Sequence, residues 1–128
     1  MDIDVSYDPD DDVWTLIGID AVIRTHEHLE QWRDLIDERT KLFGGKRVDL
    51  MVDMTGFQVT PTLAAEYGMK AKAVADEHTL CLIRYGSKRD PSIRTTVRLQ
   101  GIVQGYDPNV VSDREAALNR LTEIRAER

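Results

Sequence analysis

Apolar residues divide the chain into short strand-like runs and longer helix-like stripes. Residues 3–7 alternate between apolar and polar, and residues 13–19 resume with β-formers after a turn of proline and aspartates. Together they predict an antiparallel β-hairpin at the N-terminus. Residues 48–52 form a short apolar run followed by a loop, which predicts a strand buried on both faces of a sheet. Residues 80–85 predict another apolar strand. Residues 109–111 predict a further, very short strand at an edge.

Stripes of apolar residues at helical spacing lie between these runs, and polar residues mark where the helices start and stop. Thr25 is the predicted N-cap of the first helix, and the glycine pair at 44–45 is its predicted end. Thr60, followed by proline, is the predicted N-cap of the second helix. Ser112 and Glu115 have the spacing of a capping box, which predicts the start of the last helix.

The apolar residues of segment 93–100 fit both the helical and the strand periodicity. Its alternating β-branched and apolar residues suit a strand, whereas the same residues also share one helical face. Asp90 before a proline, and Gly101 after the segment, favour a helix. The resulting order predicts one α/β domain over residues 1–128, with a single-layer, mixed, mostly parallel sheet of about five strands and four helices.

Composition limits the classes of function. The chain has 128 residues, a formal net charge of −6 and one cysteine, Cys81. This acidic balance argues against a general nucleic-acid binder, which needs a basic face for phosphates. No apolar run approaches the length of a membrane span, and the N-terminus lacks the features of a signal peptide. We therefore expect a cytoplasmic domain with neither a nucleic-acid nor a membrane partner.

Residues that could carry catalysis or bind a metal are scattered. The aspartates at 8–12 lack the ligand spacing, central glycine and distal glutamate of a calcium loop. His26 and His28 are two positions apart, so they do not share a helical face. Cys81 lies in an apolar strand, which is the wrong setting for a reactive thiolate. We therefore expect no metal, no cofactor and no enzymatic activity.

Polar and charged residues follow two of the predicted parallel strands. Because parallel strands end at the same edge of a sheet, the loops after them are expected to lie side by side. Asp53 and Thr55 follow the first strand, and cations belong to the second loop: Arg84, Lys88 and Arg89. Two predicted helix N-termini also point at this edge and suit an anion. One interpretation is therefore a small anion- or nucleotide-binding site between the loops around Thr55 and Lys88.

The chain resembles a STAS domain in its element order, in residues 13–18 and 52–56, and in its late residues 93–102, 110 and 112–118. This module occurs in sulfate transporters and in bacterial anti-sigma factor antagonists of the sporulation-regulator type. In regulatory members a strand ends in Asp-x-Ser/Thr-Gly, and a partner anti-sigma kinase phosphorylates the hydroxyl residue.

The resemblance implies that Thr55 is the phosphoacceptor, with Asp53 and Gly56 at the flanking positions of the motif. It also implies a protein partner, either an anti-sigma factor or a kinase-like regulator. Here residues 57–61 separate the motif from the predicted helix start, so we expect Thr55 to lie on a longer loop than in those members. A purely structural turn hydroxyl is the alternative role for Thr55.

A second, milder stripe runs along the predicted second helix through Ala65, Gly68 and Met69. Small residues beside a methionine allow close approach of another surface. Two interpretations follow, namely dense packing against a neighbouring helix of the same chain and an interface in a homodimer.

Overall fold

The computed structural model describes residues 1–86, 91–105 and 107–128, with residues 91–96 and 102 described by their backbone alone. The chain alternates strands and helices, as the sequence predicts. In order, the elements are β1 (Asp2–Asp8), β2 (Val13–Ile19), β3 (Ala21–Ile23), α1 (His26–Arg39), β4 (Val48–Asp53), β5 (Phe57–Val59), α2 (Ala64–His78), β6 (Thr79–Tyr85), α3 (Pro91–Gln104) and α4 (Arg114–Glu127). Short 3₁₀ turns at Thr40–Phe43 and Pro61–Leu63 follow α1 and precede α2.

The main sheet has four strands in the order β1-β2-β4-β6. β1 is antiparallel to β2, whereas β4 is parallel to both β2 and β6. The predicted N-terminal hairpin and the mostly parallel sheet are therefore confirmed. Residues 109–111 are not a strand, because Val110 makes only an isolated parallel bridge to Arg84 on the outer side of β6.

A second, two-stranded sheet was not predicted. β3 and β5 pair in parallel from Ala21–Phe57 to Ile23–Val59, so the expected single layer of about five strands is wrong. The sequence does not predict β3 or β5, because a three-residue strand is too short to show a period. This small sheet extends the ends of β2 and β4 and fixes the chain that leaves the carboxyl edge.

Local capping explains where α1 starts and stops, as predicted. The Thr25 hydroxyl accepts a hydrogen bond from the His28 N–H at 3.2 Å. After the 3₁₀ turn that follows α1, Gly44 takes the left-handed conformation with φ +66°. The segment 93–100 lies inside α3, so its predicted helical structure is confirmed.

Two predicted caps are wrong. Thr60 makes no side-chain cap, because the 3₁₀ turn at Pro61–Leu63 comes first and α2 begins only at Ala64. The cap of α4 is Asp113, whose carboxylate accepts from the Ala116 N–H at 2.8 Å. The N-cap therefore lies one residue after Ser112, and the predicted capping box of Ser112 and Glu115 does not form.

The two faces of the main sheet pack against different helices. On one face, Met51 and Ile83 pack with Ala117 and Leu121 of α4. On the other, Leu16 and Leu50 belong to the larger core with residues of α1, α2 and α3, of which the buried ones are Leu29, Trp32, Ile36, Tyr67, Ala71, Val74 and Val97.

Side chains alternate along a strand, so this packing fixes the direction of the residues near the carboxyl edge. Asp53, two residues after Met51, lies on the α4 face. Arg84, next to Ile83, lies on the face toward α2. None of the helices in the described ranges has both the length and the apolar character needed to cross a bilayer.

Candidate functional site

The loops after β4 and β6 leave the sheet side by side. Asp53 and Tyr85 are paired at the ends of these strands. Beyond them, the Met54 N–H donates to the Tyr85 carbonyl at 2.8 Å. This contact confirms that the two loops share the carboxyl edge, which is where an open parallel sheet normally carries its site.

Thr55 sits at the tip of a tight turn on this edge. The Asp53 carboxylate accepts the backbone N–H of Thr55 at 3.0 Å, and the Phe57 N–H donates to the Met54 carbonyl at 3.0 Å. Asp53 is half-buried and Thr55 is exposed. Within the described residues, the Thr55 hydroxyl has no hydrogen-bond partner. The turn therefore presents this hydroxyl at the surface and is stabilised by other contacts.

Gly86 brings the second loop into contact with this turn. Its φ is +94°, a conformation that side chains other than glycine rarely adopt, and a Cβ on it would lie 3.0 Å from Asp53 Oδ1 and 3.1 Å from Thr55 Oγ1. Sequence reasoning missed this residue. The available signal was a glycine directly after a strand, at the edge where the candidate residues were expected.

Gly56 is required by its close approach to β2. A Cβ at Gly56 would collide with the carbonyl oxygen of Gly18 near the end of that strand. The Gly56 carbonyl also accepts from the Ala21 N–H at 2.9 Å. The glycine of the Asp-x-Thr-Gly motif therefore allows the two sheets to join.

The predicted cations are not brought to Thr55 by the described part of the chain. Arg84 is only 4% exposed, and its Nη1 donates to the Pro108 carbonyl at 2.9 Å. Its side chain lies on the sheet face opposite that of Asp53. Lys88 and Arg89 lie outside the described residues, so the anion site between the two loops stays a prediction.

The proposed interface residues on α2 are in different environments. Gly68 is buried, and a Cβ there would lie 2.9 Å from the Cβ of Gln100 on α3, so its small size serves packing within the chain. Ala65 is exposed, and Met69 is 61% exposed. A homodimer interface remains a prediction for these last two residues.

Asp49 forms a buried ion cluster at the other end of the sheet. Its carboxylate accepts from Arg125 Nε at 2.9 Å, from Arg128 Nη2 at 2.6 Å and from the Cys81 thiol at 3.3 Å. Burial alone would raise the pKa of Asp49, but the hydrogen bonds from Arg128, Cys81 and Arg125 outweigh it, so the pKa lies below the ordinary 3.8. These contacts tie α4 to the sheet.

The same cluster makes Cys81 a poor nucleophile. Burial, followed by the negative charge of Asp49, raises the pKa of the Cys81 thiol to about 12. The histidines of α1 are engaged at the surface, where His26 lies 3.1 Å from Glu66 and His28 accepts the Arg24 N–H. Among the described side chains, no group of three or more histidines, cysteines or carboxylates could hold a metal ion.

Comparison with known proteins adds no relative. No protein-family model, curated protein or solved structure matches this chain.

Proposed function

We propose that this chain is a non-catalytic, STAS-like regulatory domain that binds a protein partner and is switched by phosphorylation of Thr55. The proposed partner is an anti-sigma factor or a kinase-like regulator. The observation that carries the proposal is the exposed Thr55 hydroxyl, which a turn anchored by Asp53 presents beside Gly86 at the carboxyl edge. The Asp-x-Thr-Gly motif and the element order support the same function.

Electrostatics determine what a phosphate at Thr55 would do. Phosphorylation adds about −1.5 to −2 charges at neutral pH. The new group would stand close to the half-buried Asp53 carboxylate, which already accepts the Thr55 N–H. A partner surface packed onto this edge would then have to bury two like charges, and repulsion with desolvation would expel it.

The start of α2 supports release of a partner over ordering of the loop. A phosphate at a helix N-terminus would be stabilised by free backbone N–H groups. Here β5 and a 3₁₀ turn separate Thr55 from the first residue of α2, Ala64. The described residues also place no cation within 4.0 Å of Asp53. Little in this part of the chain would therefore neutralise the phosphate.

Mass spectrometry of the protein recovered from its native cells tests the proposal. We expect a fraction of molecules to carry phosphate on Thr55, and Thr55→Val to remove it. Thr122 is the matched control, because it is also an exposed threonine but lies on α4, with its hydroxyl bonded to the Leu118 carbonyl. Absence of phosphate on Thr55 across growth conditions would refute the switch and leave a passive interaction domain.

A further inference from the structure

Arg84 carries a buried charge, and the described part of the chain places no anion beside it. The residue is 4% exposed, and its one side-chain hydrogen bond in the described part of the chain goes to the Pro108 carbonyl. No carboxylate among the described residues lies within 4.0 Å of its guanidinium. Buried charges in proteins are normally paired, because removing an ion from water is costly unless an opposite charge compensates. The described residues therefore leave this charge without an anionic partner.

Two spaces meet at Arg84. An outer groove of about 190 Å³ lies along the free edge of β6, between the end of α2 and residues 107–109. An inner crevice of about 30 Å³ lies between the sheet and α2 and is largely apolar. Arg84 and Leu82 line both spaces, so Arg84 lies between a polar groove and an apolar interior.

Two donors near this junction have no acceptor among the described residues. One is the indole N–H of Trp32, a residue 3% exposed that lines the inner crevice. The Leu82 N–H faces the outer groove, since Arg84, two residues further along β6, bonds outward to Asn109. A ligand that supplies acceptor oxygens and negative charge would satisfy what the protein leaves open.

We propose that the outer groove binds a small aliphatic monocarboxylate, with its carboxylate on the Arg84 guanidinium and its hydrocarbon part against Leu80 and Leu82. A carboxylate matches the planar fork of arginine. Arg47, Asp76 and Asp107 also line the groove, and the two carboxylates oppose a second negative charge on the ligand, such as that of phosphate. An apolar cavity of about 150 Å³ holds benzene, so this groove suits a ligand of about six to eight non-hydrogen atoms.

This site is separate from the Thr55 edge. Arg84 and Asp53 lie on opposite faces of the sheet, so ligand binding at Arg84 and phosphorylation of Thr55 are measured independently. The carboxylate site can fail while the switch stands, and the reverse also holds.

NMR titration of the ¹⁵N-labelled chain with hexanoate, 1-hexanol and inorganic phosphate tests the proposal. We expect saturable shifts of the Leu80, Leu82 and Asn109 amides with hexanoate and none with the other two. Arg84→Met should weaken hexanoate binding at least tenfold. Arg98→Met is the matched control, because the Arg98 guanidinium also bonds one nearby carbonyl, that of Val110, but Arg98 is exposed. The affinity of Arg98→Met for hexanoate should equal that of the wild type.

Several results would overturn the carboxylate site. They are no saturable binding of hexanoate to the wild type, equal binding of 1-hexanol or phosphate in the groove, or undiminished binding to Arg84→Met. If Arg84→Met does not fold, the wild-type comparison of hexanoate with 1-hexanol still decides whether the charge is recognised. Ala75→Leu then provides the second variant, because Ala75 lines the groove and a larger side chain there should block hexanoate.

Discussion

The backbone N–H of Met54 donates to the carbonyl of Tyr85 across 2.8 Å. This bond extends the β4–β6 ladder by one step and holds the Asp-x-Thr-Gly turn against the loop that follows β6. Thr55 and Gly86 are neighbours as a result, although they are far apart in the sequence. The candidate site therefore depends on the parallel pairing of β4 and β6, and substitutions at this contact should alter the conformation of the Thr55 turn.

Replacing Gly86 by alanine should destabilise the protein by about 3 kcal/mol, because it combines a left-handed backbone with crowding at Asp53 and Thr55. Gly105→Ala separates these two effects. Gly105 also has a positive φ, +76°, but no described atom lies within 4 Å of the added Cβ. We therefore expect Gly105→Ala to lower the free energy of unfolding by only about 1 kcal/mol. Urea unfolding of both variants measures the difference. Equal losses would show that Gly86 does not pack closely on the Thr55 turn.

Asp49→Asn should destabilise the protein by about 2 kcal/mol at neutral pH, because it leaves Arg125 of α4 and Arg128 just after it without their shared carboxylate. The folded-state pKa of Asp49 lies below its unfolded value of 3.8. Its contribution to stability is therefore present above that pH and is lost as the pH falls through the folded-state pKa.

Urea unfolding of the wild type and Asp49→Asn at pH 7 and near pH 3 checks this prediction. The difference between their free energies of unfolding should shrink at the lower pH. A difference that is unchanged or larger in acid would mean that the carboxylate charge does not hold α4 to the sheet.

The start of α4 gives a third prediction. Asp113→Ala should cost about 1 kcal/mol of stability, because the Asp113 carboxylate caps the Ala116 N–H. The neighbouring Ser112→Ala should change stability by less than about 0.5 kcal/mol. Measuring both free energies of unfolding distinguishes the two caps. A larger loss for Ser112→Ala would restore the capping box expected from sequence.

Structural features that depend on local sequence patterns were predictable from the sequence. The hairpin, the strands at 48–52 and 80–85, and the helix over 93–100 all follow from periodicity and from nearby proline and glycine. The parallel order alone placed Thr55 and the loop after β6 at one edge, and the structure confirms this.

Features that depend on distant partners were not predictable. β3 and β5 are three residues each, and they exist because they pair with one another. The Arg125–Asp49 contact spans 76 positions, and no periodicity indicates it. The burial of Arg84 depends on which helix covers β6, so its strand position alone suggested an accessible cation. Gly56 likewise reveals its role only through the nearby Gly18 carbonyl.

Capture of partner proteins by Thr55→Glu is the most direct test of the proposed switch. Wild type, Thr55→Glu and the control Thr122→Glu would be used to capture proteins from the native cell lysate, with each captured protein quantified. We predict that at least one protein binds the wild type and Thr122→Glu equally but binds Thr55→Glu about tenfold less, a difference of about 1.4 kcal/mol. Equal recovery of every captured protein by Thr55→Glu and the wild type would contradict the account.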